Sequence, residues 1–254
     1  MAVAIIAGTG ADQLLEGEGR LRRVETPYGW ASVRLLPLGR GEVVFLPRHG
    51  EGHAVPPHRI NYRANIRALG ELGVTAILAS HAVGSLRPDL PPGRFVLPDQ
   101  LLELTKTRPS TFYDGEERSV VHTDFTHPFC RRLRQMVLRV AEAHAISVYD
   151  GATYLCLEGP RFETAAEIRL FAQWGADLVG MTAYPEAILA RELGICYASV
   201  STVTNLAAGL TARPVDHEAV EAQMAEQGPP LRDLLFTAAQ TELKEFAGCD
   251  CSRR

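Results

Sequence analysis

A chain of 254 residues, 46% hydrophobic and 22% charged, holds ample apolar material for one folded core, which excludes a disordered polypeptide. Its formal net charge of −4 offers no basic footprint, so nucleic acid and anionic membrane surfaces are set aside as main partners. No apolar run approaches the ~20 residues of a membrane span, and the opening MAVAIIAGTG lacks a basic n-region and a cleavage site, so the expected location is the cytoplasm.

In chain order, the apolar run Val3 to Ile6, closed by Gly8-Thr9-Gly10, reads as a buried strand ending in a turn. Residues 61–72 have helical spacing with Ile66, Leu69 and Leu72 on one face; Gly73 stops the helix, and residues 74–79 supply another buried strand. The unit recurs. Residues 128–144 open with Pro128 and align Leu133, Met136, Val137 and Val140, followed by a strand over 149–157. Helices are expected over 163–174 and 185–193, and strands over 177–180 and 195–203. Strands alternating with helices predict an α/β fold whose sheet is covered on both faces. Ligands in such folds sit on strand-end loops, expected here at 8–10, 81–85, 181–182 and 205–209.

Several of these segments can carry chemistry. Gly8-Thr9-Gly10 suits an anion cradle or a plain strand-to-loop turn; Gly8-x-Gly10-x-x-Gln13 lacks the third glycine of a dinucleotide fingerprint, and no P-loop lysine follows. Pro47-Arg48-His49-Gly50 puts a guanidinium beside an imidazole, fit for a phosphate or for a solvated loop. Glu158, Arg161, Phe162 and Glu163 fall at a strand end, where Glu163 is either a site carboxylate or an acid stabilising a helix N-terminus. His122, Asp124 and His127 lack zinc-site spacing, and no Gly-x-Ser-x-Gly elbow is present. Five cysteines, Cys130, Cys156, Cys196, Cys249 and Cys251, do not form a disulfide framework; Cys249 and Cys251 read as part of a solvated tail, with a redox pair or metal ligand as the alternative.

The ordered stretches GTG at Gly8, ETPYG at Glu25, PRHG at Pro47, NYRANIRAL at Asn61, HAVGSL at His81, HPFC at His127, CLEGPRFET at Cys156, DLVGMT at Asp177, PEAILARELG at Pro185 and CYASVSTVTNLAAG at Cys196 resemble the trimeric purine nucleoside phosphorylase and methylthioadenosine phosphorylase family. The resemblance implies one domain over residues 1–248 with a central mixed, distorted barrel-like sheet flanked by helices, and a tail over 249–254. It further implies a homotrimer, no metal and no organic cofactor, with inorganic phosphate as co-substrate. It assigns phosphate to Thr9, Arg48, His49, the backbone at Ala82, and Thr182. Met181 would meet the ribose, Phe162 the purine face, and Glu163 and Asn205 the base edge, with Asn205, Glu163 and His49 catalytic.

A 6-oxopurine offers N1–H as donor and O6 as acceptor, which suits Glu163 paired with the Asn205 amide. Inosine and guanosine are therefore the expected substrates, with methylthioinosine next; the alternative is 5′-methylthioadenosine, because CLEGPRF and ICYAS resemble that branch more closely. His217 is expected either at the 5′-hydroxyl or on the surface of a helix, and His122 near a neighbouring subunit's 5′ pocket. His81 departs from the small polar residue usual in the family. Residues 206–230, with a short helix, are the candidate lid.

Overall fold

The computed structural model describes residues 2–10, 14–15, 19–39, 41–115, 120–245 and 248–252. Gln13 of the glycine loop lies outside them. Among the described residues eleven strands form one mixed sheet. Strand β1 (Ala2–Ala7) has β4 (Gly41–Pro47) parallel on one side, and the hairpin-linked β2 (Arg20–Thr26) and β3 (Gly29–Leu38) continue outward from β4. On its other side β1 pairs with β5 (Val74–Ser85), also parallel.

Strand β5 is where the sheet branches. One edge is covered along its length by β11 (Cys196–Leu206), and β11 leads to β6 (Phe95–Leu97) and β8 (Val148–Asp150). The other edge is shared: β1 covers it as far as Ala79, and β10 (Leu178–Gly180) enters from the opposite direction at Gly84 and Ser85. Beyond β10 lie β9 (Thr153–Leu157) and β7 (Gln100–Leu104). Between Ala79 and Gly84 that edge of β5 pairs with neither β1 nor β10, and this notch positions the site.

The helices cover both faces, as alternation along the strands requires. Val3 and Ile5 of β1, Val43 and Phe45 of β4, and Leu78 of β5 face a core shared with α2 (Arg131–Ala143) and α5 (His217–Glu245). Ala4, Ile6, Val44, Leu46 and Ile77 face the opposite core, shared with α1 (Tyr62–Glu71) and α4 (Ala183–Glu192). Helix α3 (Ala165–Gln173) packs Ile168 and Phe171 against Leu155 and Val179. Asn61 caps α1 by accepting from Ala64 N at 3.1 Å, and its amide also reaches the Tyr28 carbonyl at 2.7 Å, tying the helix to the β2–β3 hairpin. No helix of the described residues is long and apolar enough to cross a membrane.

Four sequence expectations are corrected. Residues 81–85 and 205–206 are strand, not loop, because pairing with β11 carries β5 past the point where its own apolar run ends. The strand expected over 149–157 is two, broken at Gly151 (φ 90°), and its halves join different neighbours. The short helix within 206–230 is the start of the 29-residue α5, which continues through Pro229 and Pro230 to Glu245 because its Leu231, Leu234, Leu235 and Ala238 are buried on the sheet. Within the tail expected over 249–254, Cys249 is half-buried and Cys251 buried, not solvated, while Asp250 between them is exposed; residues 253–254 lie outside the described residues. Asp250–Ser252 form a 3-10 turn, and Cys251 is buried among Cys130, Cys196 and the α2 core.

Leu235 is fully buried between α5 and the sheet. Leu235→Ala should lower unfolding free energy by about 2–5 kcal/mol, read as a lower urea midpoint at unchanged slope.

Candidate active site

The notch opens into a cavity of about 400 Å³. Thr9 and Arg48 arrive from the ends of β1 and β4, neighbours in register at Ala7 and Pro47. Ala82 lines it from the open edge of β5, and Met181 and Thr182 follow the end of β10, which runs into the notch from the opposite side. Thr182 is the residue before α4; its hydroxyl makes no capping bond, so the hydroxyl and the positive end of the helix both remain for a ligand.

Arg48 is buried, with 3% exposure, and a buried cation requires a counter-charge. Glu186 of α4 supplies it. Nε donates to Oε1 at 2.5 Å and Nη2 to Oε2 at 3.1 Å, a bidentate fork. Nη1 donates to the Ser80 carbonyl at 2.9 Å, and Nη2 also lies 3.0 Å from His81 Nε2. These contacts use four of the five guanidinium N–H groups and leave one, on Nη1, for a ligand. Gly8 belongs to the same arrangement: a Cβ there would sit 2.4 Å from Nη1.

Burial pushes the Glu186 carboxyl up, but the Arg48 charge and its hydrogen bonds outweigh burial and hold it at about 2. Tyr197 completes its shell, donating to Oε2 at 2.8 Å. Burial and then the Arg48 charge bring both His49 and His81 down to about 4, so both rings are neutral at neutral pH. His49 Nδ1 donates to the Val55 carbonyl at 2.8 Å, which leaves Nε2 as an acceptor near Gly8. His81 accepts from Arg48 on Nε2 and donates from Nδ1 to Ser199 Oγ at 2.9 Å.

Phe162, Glu163 and Asn205 form another part of the wall. Glu163 is not the acid of its helix terminus, because Thr164 and Glu167 form the capping box of α3 and Arg161 is drawn to Glu167 at 2.7 and 2.8 Å. Burial raises the Glu163 carboxyl above its ordinary value. Asn205 is oriented by its neighbours: Thr204 Oγ1 donates to Oδ1 at 2.9 Å and Nδ2 donates to the Leu206 carbonyl at 2.9 Å, leaving one amide N–H. His217, at the start of α5, lines the mouth beside His53 (ring centroids 6.0 Å apart) and lies 3.3 Å from Glu221 on its own helix.

Thus Thr9, Arg48, His49, Ala82, Phe162, Glu163, Met181, Thr182, Asn205 and His217 line one cavity. His122, Asp124 and His127 do not join them; they line a separate cavity with Cys130, Cys249 and Cys251. Sequence reading missed the supports. Glu186 stood inside a helix and gave one signal, an acid among apolar residues. Arg108 gave none: it donates to the Leu157 carbonyl at 3.1 Å, to the Tyr62 hydroxyl at 3.1 Å and to the Glu158 and Met181 carbonyls, pinning the turns after β9 and β10 together. The Glu158 carboxylate, accepting from Lys106 N at 2.8 Å and Thr107 Oγ1 at 2.6 Å, belongs to this scaffold.

A cavity at a notch in a branched mixed sheet, with a buried guanidinium at one end and an amide and a carboxylate in an otherwise largely apolar wall, has the composition of a small-molecule site. The sequence model of the Phosphorylase superfamily matches residues 2–239, and the chain belongs to that family. It is 51% identical over 255 residues to a probable 6-oxopurine nucleoside phosphorylase of Thermococcus kodakarensis, covering 98% of this chain and 95% of the relative. It is 46% identical to a probable S-methyl-5′-thioinosine phosphorylase of Methanothermobacter thermautotrophicus, covering 98% and 87%. Among solved structures it is similar to methylthioadenosine phosphorylase from Schistosoma mansoni in complex with adenine, with TM-score 0.92, 34% identity and coverage of 96% and 92%.

The two depressed histidines make stability depend on acid. Their folded pKa values of about 4 lie below the ordinary 6.5, so the unfolded chain binds protons first as pH drops. Stability is complete above about pH 6.5 and declines as pH falls toward 4, with about 3 kcal/mol at stake for His81. A further loss follows as Glu186 protonates, from its ordinary 4.5 down to about 2. Melting temperature measured from pH 7.5 to 4 should fall steadily, and His81→Asn should fall less steeply; equal slopes would refute this account.

Proposed function

We propose that the chain catalyses phosphorolysis of 6-oxopurine nucleosides, releasing free base and pentose 1-phosphate. The observation that carries this reading is the cavity that joins Arg48, Thr182 and Thr9 to Glu163 and Asn205. Cleaving an N-glycosidic bond builds positive charge on the sugar and negative charge on the departing purine, so the site must stabilise both.

Inorganic phosphate meets the first need, as an anion beneath the developing cation and then as the nucleophile. The free Nη1 proton of Arg48, the hydroxyls of Thr9 and Thr182, the Ala82 backbone and the α4 N-terminus hold it. Neutral His49 adds direction: its Nε2 accepts from the protonated oxygen of monohydrogen phosphate, turning an unprotonated oxygen toward the sugar carbon. The remaining Asn205 N–H meets the second need by donating to O6 of the departing purine, where charge accumulates. Glu163 accepts from N1–H, Phe162 packs on the ring and Met181 lies along the ribose. No metal or organic cofactor enters this scheme. Assembly as a homotrimer belongs to the same proposal and rests on the family resemblance.

A second substrate has an observation in its favour. Ala54, Pro56, Pro57 and Val220 line the cavity near His53 and His217, so a 5′-methylthio group has apolar surface to meet. Methylthioinosine fits both this surface and the Glu163–Asn205 pair, whereas methylthioadenosine presents the opposite hydrogen-bond polarity at the base.

Assays with inosine, guanosine, methylthioinosine, adenosine and methylthioadenosine, with and without phosphate, should give phosphate-dependent release of hypoxanthine and guanine. The 6-oxopurines should lead in kcat/KM by a factor on the order of 10² or more. Adenine release from methylthioadenosine alone would overturn the substrate assignment.

Asn205→Ala should lower kcat/KM for inosine by about 10²–10³. Glu163→Ser combined with Asn205→Asp should shift preference toward adenosine-type substrates, and an unchanged ratio would sink the base-edge reading. Gly8→Ala displaces the Arg48 proton that meets phosphate, so KM for phosphate should rise about tenfold or more, one charge-assisted bond being lost, with KM for nucleoside little changed.

A further inference from the structure

Away from the nucleoside cavity, four of the five cysteines converge. Cys130 precedes α2, Cys196 opens β11, and Cys249 and Cys251 lie in the turn that follows α5. The Sγ atoms of all four lie within 4.8 Å of one another. Cys249 Sγ is 3.4 Å from both Cys130 Sγ and Cys251 Sγ. Among the described residues, this is the one group of metal-ligating side chains gathered so closely.

Four thiols at such spacing match one ion of a known size. A tetrahedral zinc centre with Zn–S near 2.3 Å has S···S edges of ~3.8 Å. An iron–sulfur cluster, with several atoms between its thiolates, needs a wider cage. Soft thiolate ligands in a tetrahedral set select zinc over magnesium or calcium, which take oxygen. Four protein ligands would leave no open position, the mark of a structural site.

The surroundings suit thiolates. The positive end of α2 falls at Cys130, and the Arg132 guanidinium lies 4.0 Å from Cys196 Sγ while its other nitrogen donates to buried Glu242 at 2.8 Å. Cys130 is fixed between elements, its N–H donating to the Tyr197 carbonyl at 2.8 Å and its carbonyl accepting from Arg134 N at 2.9 Å. Cys130 and Cys196 are each 2% exposed and Cys251 8%, so solvent does not compete strongly for the ion.

We propose that Cys130, Cys196, Cys249 and Cys251 bind one zinc ion as a closed four-thiolate site that fastens residues 248–252 to α2 and β11. Binding releases four thiol protons and involves no change of oxidation state. The site shares no lining residue with the nucleoside cavity, so it acts on stability and leaves the chemistry alone.

The test uses the full chain purified with a phosphine reductant and no chelator. Elemental analysis should find one zinc per chain, and a strong chelator should remove it and lower the melting temperature, which added zinc restores. Cobalt(II) loaded into the metal-free protein should give the intense thiolate-to-metal and visible bands of a tetrahedral sulfur site. Cys249→Ser with Cys251→Ser should lose the zinc and the cobalt bands while keeping inosine phosphorolysis at moderate temperature. The cobalt spectrum of the unsubstituted chain decides the matter if that variant fails to fold. Absence of metal and of cobalt bands in the reduced chain would overturn the proposal. So would a metal-free protein whose intact mass is lower by the two hydrogens that each disulfide removes, because the cluster would then be a pair of covalent cross-links.

Discussion

The buried pairing of Arg48 with Glu186 is the interaction around which the site is arranged. A guanidinium with 3% exposure stays charged only where a counter-charge and acceptors meet it, and here Glu186, the His81 ring and the Ser80 carbonyl take four of its five N–H groups while Tyr197 donates to the carboxylate. Such pairs contribute little net stability, since desolvation consumes most of the Coulombic gain. What this one supplies is position. Glu186 lies in the first turn of α4 and Arg48 follows β4, so their fork locks the helix start that presents Thr182 against the strand end that presents the cation. With four of its N–H groups committed, the guanidinium carries a full charge but a single directed donor.

That arrangement depends in turn on the head-on approach of β1 and β10 along one edge of β5. A fully paired β5 would bury Ala82 in a ladder and leave no room for a ligand. Ending the β1 pairing opposite Ala79 of β5 and bringing β10 in from the other side opens a gap a few residues long in the sheet. The gap is held open by close packing. Gly180 approaches Tyr154 so tightly that a Cβ would lie 2.0 Å from its hydroxyl, and Gly159 (φ 63°) lets the following turn cross Met181, where a Cβ would be 2.4 Å from the sulfur. Arg108 then ties the two turns through their carbonyls.

The chain belongs to the Phosphorylase superfamily, and the relatives it is similar to are named for substrates that differ at the base and at the 5′ position. The Arg48 end of the cavity is set by buried charges and strand geometry, whereas Glu163 and Asn205 sit on a turn and at a strand end. The cysteine cluster stands apart from both, at the seam where the chain end returns to α2 and β11.

Much of the cavity lining was legible in the sequence because the residues that line it fall on short, ordered motifs, PRHG, CLEGPRFET, DLVGMT and the stretch ending at Asn205, and a motif is local by nature. The helices α1, α2 and α4 and the strands β1 and β10 were likewise written in local periodicity, since burial on one face or two imposes the 3.6 or continuous apolar pattern. Strand β2, mostly exposed and rich in arginine, carried no such clear pattern, whereas β4 holds a continuous buried run, Val43 to Leu46. The parts only the tertiary structure decided join residues far apart in the chain: Arg48 with Glu186, Arg108 with the turns at Leu157 and Met181, and Cys130 and Cys196 with Cys249 and Cys251. Charge pairing, strand extension by a partner and metal-ligand convergence are distances between elements, and no local spacing encodes a distance that appears only when the sheet has assembled.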